Sequence, residues 1–278
     1  MTESLHRHVD SAPGYKIAIS PGEAGLRYLE LGLLFLRPGI PSFTLEFPTR
    51  EAAIVILEGA GELHGFLPDQ RVVWTLGPRR NVFDDLPWAV YAPPGTRLEV
   101  RSRDRLVAAV ITAPADNRGE LRAIFPDQVV VRSVGKENWR REVRTIIDHV
   151  TAQRLLVGET VNPPGNWSSY PPHKHDRDVP PELPMEEVYY YLVRPPQGFG
   201  LQRVYTPPGD PEPLDECYVV RCGDLVALPR GFHPVVAAGG YEMYYLWAMS
   251  GSRVLYGQWS DDPEHAWIRR LEVEDNPN

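Results

Sequence analysis

Short apolar runs, on the order of ten residues apart and separated by Gly, Pro, Asn or Asp, recur along this chain. Runs of that length fit strands better than helices. Proline at 29 of 278 positions strengthens the expectation, because it breaks helix interiors and favours turns and strand edges. In the first half, strands are expected at Tyr15 to Ile19, within Leu26 to Leu36, and at Ser42 to Phe47, Ala52 to Leu57, Gly61 to Gly65, Arg71 to Leu76, Ala89 to Tyr91, Thr96 to Arg101 and Leu106 to Thr112. In the second, they are expected at Arg154 to Thr160, Ser168 to Lys174, Val188 to Val193, Gly200 to Tyr205, Glu216 to Val220, Asp224 to Leu228, His233 to Ala237, Glu242 to Met249 and Val254 to Tyr256. The fold class is all-β, of the sandwich or barrel kind. A helical turn is expected within Gly135 to Glu142 and another in the tail after Asp261.

The chain also repeats itself. Glu51-Ala52-Ala53-Ile54-Val55-Ile56 resembles Glu187-Val188-Tyr189-Tyr190-Tyr191-Leu192, and Pro93-Pro94-Gly95-Thr96-Arg97 resembles Pro229-Arg230-Gly231-Phe232-His233. Both pairs are 42 residues apart, from 51 to 93 and from 187 to 229. Two matched domains follow, residues 1–125 and 126–278, with the crossover in a polar region that includes Asp116 to Glu120.

The halves differ in chemistry. The second carries His173 and His175, two apart, then Glu187, then His233 after a tight turn. On a strand, spacing of two puts both imidazoles on one face. Three imidazoles and a carboxylate suit a divalent metal such as Zn, Mn or Fe. Glu186 and Glu182 compete with Glu187 for the carboxylate role, and Glu187 is favoured because Tyr189 and Tyr191 share its face. Those tyrosines are candidates for lining the pocket. The first half has Arg97 where the second has His233, and Phe47-Pro48-Thr49-Arg50 where the second has its histidine pair, so it reads as a scaffold without a metal site.

Arg203 is the candidate for a substrate carboxylate, since a guanidinium matches that group bidentately. Gln202 and Arg203 face opposite ways on a regular strand, so one of them at most lines a pocket; Tyr244 and Tyr245 pose the same choice. Lys174 is expected in solvent, and Asp176 behind a ligand histidine. His6, His8, His64, His149 and His265 lack comparable context, and His6 and His8 fall in an N-terminal stretch expected to be mobile.

These motifs resemble the cupin pattern: His-x-His followed by Glu, then Gly-x5-Pro-x-Gly-x-His at Gly223 to His233. Gly165 to Asp176, Glu187 to Tyr191, Gly198 to Thr206, Phe232 to Val235 and Asp262 to Trp267 are similar to the 5-deoxy-glucuronate isomerase family of myo-inositol catabolism, and more distantly to 5-keto-4-deoxyuronate isomerase. The resemblance implies a bicupin that converts 5-deoxy-D-glucuronate to 5-dehydro-2-deoxy-D-gluconate, with His173, His175, Glu187 and His233 on a divalent metal. Trp247 departs from it, standing where the family is expected to have Asn. A cupin dioxygenase and a non-catalytic sugar-binding bicupin are the competing expectations. No residue is singled out as the proton-transferring base.

The net charge of -8 and the lack of a basic run argue against nucleic acid and anionic membranes as partners. No apolar run is long enough to span a bilayer, and residues 1–8 lack a signal-peptide core. A cytoplasmic protein acting on a small sugar acid is expected, with unpaired Cys217 and Cys222. Exposed strand edges leave room for homo-oligomers.

Overall fold

In the computed structural model, which describes residues 4–116 and 119–273, the strand Arg50–Leu67 divides its side chains between two cores. Ala52, Ile54 and Ile56 belong to a cluster with Leu34, Leu98 and Val110. Ala53, Val55 and Leu57 belong to another that also holds Val188, Leu228 and Leu246 from the second half. Both faces of the strand are buried, which is why its sequence shows a continuous apolar run and no alternation.

Among the described residues, the first half forms a nine-stranded sheet with the main path Arg122–Ile124, Ala89–Ala92, Arg50–Leu67, Leu106–Pro114, Glu30–Leu36 and Gly14–Ile19. Gln70–Arg79, Thr96–Arg101 and Ser42–Phe47 branch from it. The second half centres on a seven-stranded sheet in the order His6–His8, Asp224–Leu228, Glu186–Arg194, Glu242–Ser250, Leu155–Asn162, Arg141–Ile147 and Val130–Val134. A four-stranded sheet runs Trp167–Ser168, Val235–Ala237, Gly200–Tyr205 and Asp215–Val220, and His173–Lys174 pairs with Ser260–Asp261. No described helix is long and apolar enough to cross a membrane.

Several elements differ from expectation. Ala52 to Leu57 and Gly61 to Gly65 are one strand, bent by register shifts at Ile56/Glu58 and Gly59/Gly61. Gly59 has φ 93°, and a Cβ there would lie 2.0 Å from the Arg105 carbonyl oxygen, so only glycine fits the bend. The strand expected over Ser168 to Lys174 is interrupted, because Pro171 and Pro172 have no N–H to offer a ladder. His6–His8 is ordered: it pairs with Val226 to Asp224, and His6 Nε2 and His8 Nδ1 lie 3.0 and 2.8 Å from the Asp224 carboxylate. Val130–Val134 and Arg141–Ile147 are strands that their polar residues concealed, and Val254 to Tyr256 is not one. The turn expected within Gly135 to Glu142 is the 3₁₀ segment Glu137–Trp139, and the tail carries Ala266–Ile268 and the short helix Arg269–Val273. Of the polar stretch Asp116 to Glu120, Asn117 and Arg118 lie outside the described residues.

Three buried carboxylates tie the halves together. Glu51 accepts the Gln153 and Arg154 backbone N–H at 2.9 and 2.6 Å. Glu186 accepts those of Arg27, Tyr28 and Leu29, each at 2.7 Å. Glu159 binds Arg79 at 2.6 Å and Arg144 at 2.8 Å, and accepts the Tyr244 hydroxyl at 2.9 Å. The register also corrects the repeat: Ala52 lies opposite Ala92 just as Glu187 lies opposite Leu228. Glu51 therefore matches Glu186, and the counterpart of Glu187 is Ala52.

Candidate metal centre

The strand Glu186–Arg194 aims Glu187 into the interior of the second half, where its Oε2 lies 3.2 Å from His175 Nε2 and 3.4 Å from His233 Nε2. One ligand atom from each of these three buried residues falls within 4.8 Å of the other two. His175 follows the interrupted strand, and His233 follows the Gly231 turn, where φ is 89° and a Cβ would meet the Tyr205 carbonyl at 2.7 Å. His173 stands at the margin. Its ring centroid is 5.1 Å from that of His233 and 6.4 Å from that of His175, and it stacks on Trp259 at 5.0 Å.

The ring orientations are held by backbone. His175 Nδ1 lies 2.6 Å from the Met185 carbonyl oxygen and His233 Nδ1 2.9 Å from that of Gly231. A carbonyl only accepts, so each Nδ1 carries a proton; His233 turns an unpartnered Nε2 toward Glu187, while His175 Nε2 is hydrogen-bonded to Glu187 Oε2 at 3.2 Å. Glu187 Oε1, His233 Nε2 and His173 Nδ1 are buried without a hydrogen-bond partner. Buried polar atoms are rarely left so, and together they form a donor set that a divalent cation would satisfy.

Burial sets the protonation. It pushes His233 down to about 3, helped by His175, and holds His173 well below the usual histidine range, helped by His233 and His175. Both rings are neutral at pH 7, as ligation requires. At His175 burial also opposes charge, but the Glu187 carboxylate outweighs it and raises the pKa. Burial raises Glu187 in turn, against the pull of His175.

The competing carboxylates are committed elsewhere. Glu186 faces the first half. Glu182 accepts the Asp176 and Arg177 backbone N–H, each at 2.7 Å, and pairs with Lys174 Nζ at 2.8 Å. Lys174 is therefore buried rather than solvated, and it also pairs with Asp176 at 2.5 Å. Among the described residues Asp176 makes no hydrogen bond to a histidine; it accepts the Gly231 N–H at 2.7 Å and so fixes the turn that carries His233.

A cavity of about 80 Å³ opens on this group, lined by His173, Glu187, Tyr189, Tyr245, Trp247, Trp259, Arg141 and Arg269 among others. Tyr189 is in it, its hydroxyl 2.9 Å from Ser169 Oγ. Burial holds that hydroxyl well above its usual pKa, so it stays a neutral donor. Tyr191 lies one step deeper and donates to Gln202 at 2.6 Å. Arg203 is not in the cavity: its exposed side chain pairs with Asp215 at 2.8 Å, while buried Gln202 takes the inward face and donates to the His233 carbonyl at 2.8 Å. Tyr245 faces inward, 2.5 Å from Ser168 Oγ, and Tyr244 outward to Glu159. Trp247 packs over Gly158, where a Cβ would lie 2.1 Å from the indole ring. Arg141, Arg269, Tyr256 and Trp259 were not expected in a site; only the parity of Tyr245 and Trp247 on one strand pointed to any of this wall. His64, His149 and His265 take no part in the three-residue group. Cys217 and Cys222 are free thiols. A larger cavity, about 1120 Å³, lies elsewhere, lined by Arg27, Tyr28, Glu186 and Arg230 among others, and shares no lining residue with the smaller one.

Comparison with known proteins agrees with this architecture. The KduI/IolB family model matches residues 4–268. A 5-deoxy-glucuronate isomerase from Geobacillus thermodenitrificans is 37% identical over 268 residues, covering 95% of this chain and 94% of that protein. One from Listeria monocytogenes is 35% identical over 265 residues, covering 92% and 94%. The crystal structure of an IolB-like protein from Salmonella typhimurium superposes with a TM-score of 0.87 at 35% identity, covering 96% of this chain and 99% of that one. Oxalate decarboxylase from Lactobacillus farciminis shares the fold at 11% identity, with a TM-score of 0.62 over 98% of each chain. The all-β bicupin architecture and the extent of these matches, across nearly the whole of both chains, make this chain a member of the KduI/IolB family and an isomerase.

Proposed function

We propose that this chain is a divalent-metal-dependent aldose–ketose isomerase that converts 5-deoxy-D-glucuronate to 5-dehydro-2-deoxy-D-gluconate in myo-inositol catabolism. The observation that carries the proposal is the convergence of three buried groups of ligand type, two of them with unsatisfied atoms, beside a cavity walled by tyrosine hydroxyls. His175, Glu187 and His233 would hold the cation, with His173 as the fourth ligand. When bound, such a cation supplies Lewis acidity toward a carbonyl and its neighbouring hydroxyl, the pair of oxygens that an enediolate shares.

The chain's own residues do the rest. Met185 and Gly231 fix the histidine tautomers through their carbonyls. Tyr189 and Tyr245 present protonated hydroxyls as donors to substrate oxygens, and Trp247, Tyr256 and Trp259 restrict water. Residues 1–125 act as a cupin-like scaffold, since Ala52 and Arg97 stand where residues 126–278 have Glu187 and His233. The substrate is a soluble sugar acid, consistent with a cytoplasmic protein, and homo-oligomers are compatible with the exposed strand edges.

The test is elemental analysis of the purified protein joined to an anaerobic assay on 5-deoxy-D-glucuronate. Expected are about one metal per chain, on the four-ligand logic of such sites, and isomerisation without oxygen. Activity should vanish on chelation and return with added metal. Full turnover by demonstrably metal-free protein would overturn the proposal.

A further inference from the structure

Arg141 is a buried cation without a counter-ion. Its side chain lines the same cavity as Glu187 and Tyr189, and the residue is 7% exposed. One guanidinium nitrogen donates to the backbone carbonyls of Trp139 and Tyr170, at 3.1 and 3.3 Å. Its Nε is buried and has no partner at all. Among the described residues, no carboxylate lies within ion-pair reach of it. The other guanidinium in the wall, Arg269, is already committed, to Asp261 at 2.8 Å and to Glu272 at 3.3 Å. Burial pushes the Arg141 pKa below the usual guanidinium range, and Arg269 adds to the push.

A buried charge is normally paired, because taking it out of water is costly. Elsewhere this protein obeys that rule: Arg79 and Arg144 share Glu159, and Lys174 has Glu182 and Asp176. Arg141 is left unpaired at the wall of the candidate active site. An open guanidinium edge in a low-dielectric cavity suits a planar anion that accepts two hydrogen bonds side by side.

We propose that Arg141 is the substrate-binding residue that receives the carboxylate of the sugar acid, and so sets selectivity for acids over neutral aldoses. The inference rests on the isomerase function proposed above and deepens it. In 5-deoxy-D-glucuronate the carboxylate and the aldehyde sit at opposite ends of the six-carbon chain. Holding the acid end at Arg141 would leave the other end for the histidine–carboxylate group. Both anchors lie in one cavity, so the chain would be gripped at two points and its register fixed.

The experiment compares wild type with Arg141→Met and Arg141→Lys, in metal-loaded protein. Three readouts apply: steady-state kinetics on 5-deoxy-D-glucuronate, calorimetric binding of D-gluconate against neutral D-glucitol, and thermal melting. Arg141→Met should raise KM and weaken gluconate binding by about 10- to 100-fold, the worth of charged hydrogen bonds. Glucitol binding and metal content should stay unchanged, and melting should not fall. Arg141→Lys, which keeps the charge but not the fork, should lose less affinity and guards against misfolding of the methionine variant. A merely structural Arg141 would instead lower melting and weaken both polyols alike, which would overturn the inference. So would unchanged KM and gluconate affinity in a folded variant. If wild type isomerises the acid while Arg141→Met keeps its KM, only the role of Arg141 falls; if wild type neither turns over nor binds any acid, the isomerase function falls with it.

Discussion

Glu186 and Glu187 are neighbours in the chain and serve opposite sides of one strand. Glu186 accepts three backbone N–H groups of the first half at 2.7 Å, while Glu187 lies 3.2 Å from His175 in the interior of the second. The pleat alone separates a carboxylate that fastens the halves from one that faces the histidines.

Substitutions at the two should therefore part company. Glu187→Gln is expected to weaken metal binding by well over about tenfold, since even partners behind a ligand are worth that much. The metal-free protein should melt no lower, because a buried carboxylate has been neutralised. Glu186→Gln should leave metal content intact but cost about 2–4 kcal/mol of stability. On the usual scaling that lowers Tm by roughly 5–15 °C. Calorimetry and elemental analysis on both variants decide it; equal effects on metal and melting would contradict the division.

Glu159 neutralises two buried arginines, Arg79 and Arg144, from the two halves. Glu159→Gln leaves Arg79 without a counter-charge and Arg144 with only the partly exposed Glu142, 2.6 Å from its Nε, and is expected to cost about 3–5 kcal/mol in urea unfolding. KM should not change, because none of the three lines the cavity. A loss below about 1 kcal/mol, the range of an exposed pair, would show that the triad is not a fastening.

Arg203→Ala tests the reassignment of the carboxylate site. Its ion pair with Asp215 is half exposed, so stability should move by less than about 1 kcal/mol. KM should stay within about twofold of wild type, well short of the value of a charged hydrogen bond. Gln202→Leu should do more, because Gln202 donates to the His233 and Pro234 carbonyls at 2.8 and 3.1 Å. A tenfold or larger KM rise in Arg203→Ala, on the same scale, would return that residue to the site.

Stability of the metal-free protein should depend on pH through the buried rings. His233 is held down to about 3 and His173 well below the ordinary value. Below about pH 6.5 the unfolded chain takes up their protons first, so folded stability present at pH 7 is lost as pH falls. Each ring contributes a slope near 1.4 kcal/mol per pH unit at most. His175, whose pKa is raised, acts above that window, where its contribution fades as pH rises. Urea titrations from pH 7 to 5 should give a shallower slope for His233→Asn than for wild type; parallel slopes would refute the assignment.

Much of the candidate ligand set in the second half was legible in order along the chain. His173, His175, Glu187 and His233 are set by turn and strand signals that act over a few residues, and three of the four converge. What escaped was decided at a distance. Lys174 looked solvated because strand parity turns it away from its neighbours, yet the folded loop brings Glu182 back over it. The repeat aligned Glu51 with Glu187 by residue type, whereas the sheet register aligns Glu51 with Glu186. His6 and His8 had no local reason for order; Asp224, far along the chain, supplies it.

The sequence by itself determined the all-β class, the turn that carries His233 and the residue types able to hold a metal, because backbone propensity and side-chain parity are local properties. Only the tertiary structure decided which carboxylate faces the histidines, which of Gln202 and Arg203 points inward, and that Arg141 stands unpaired in the cavity wall. Those outcomes depend on register and on burial against distant strands, and neither is encoded within any single stretch of the chain.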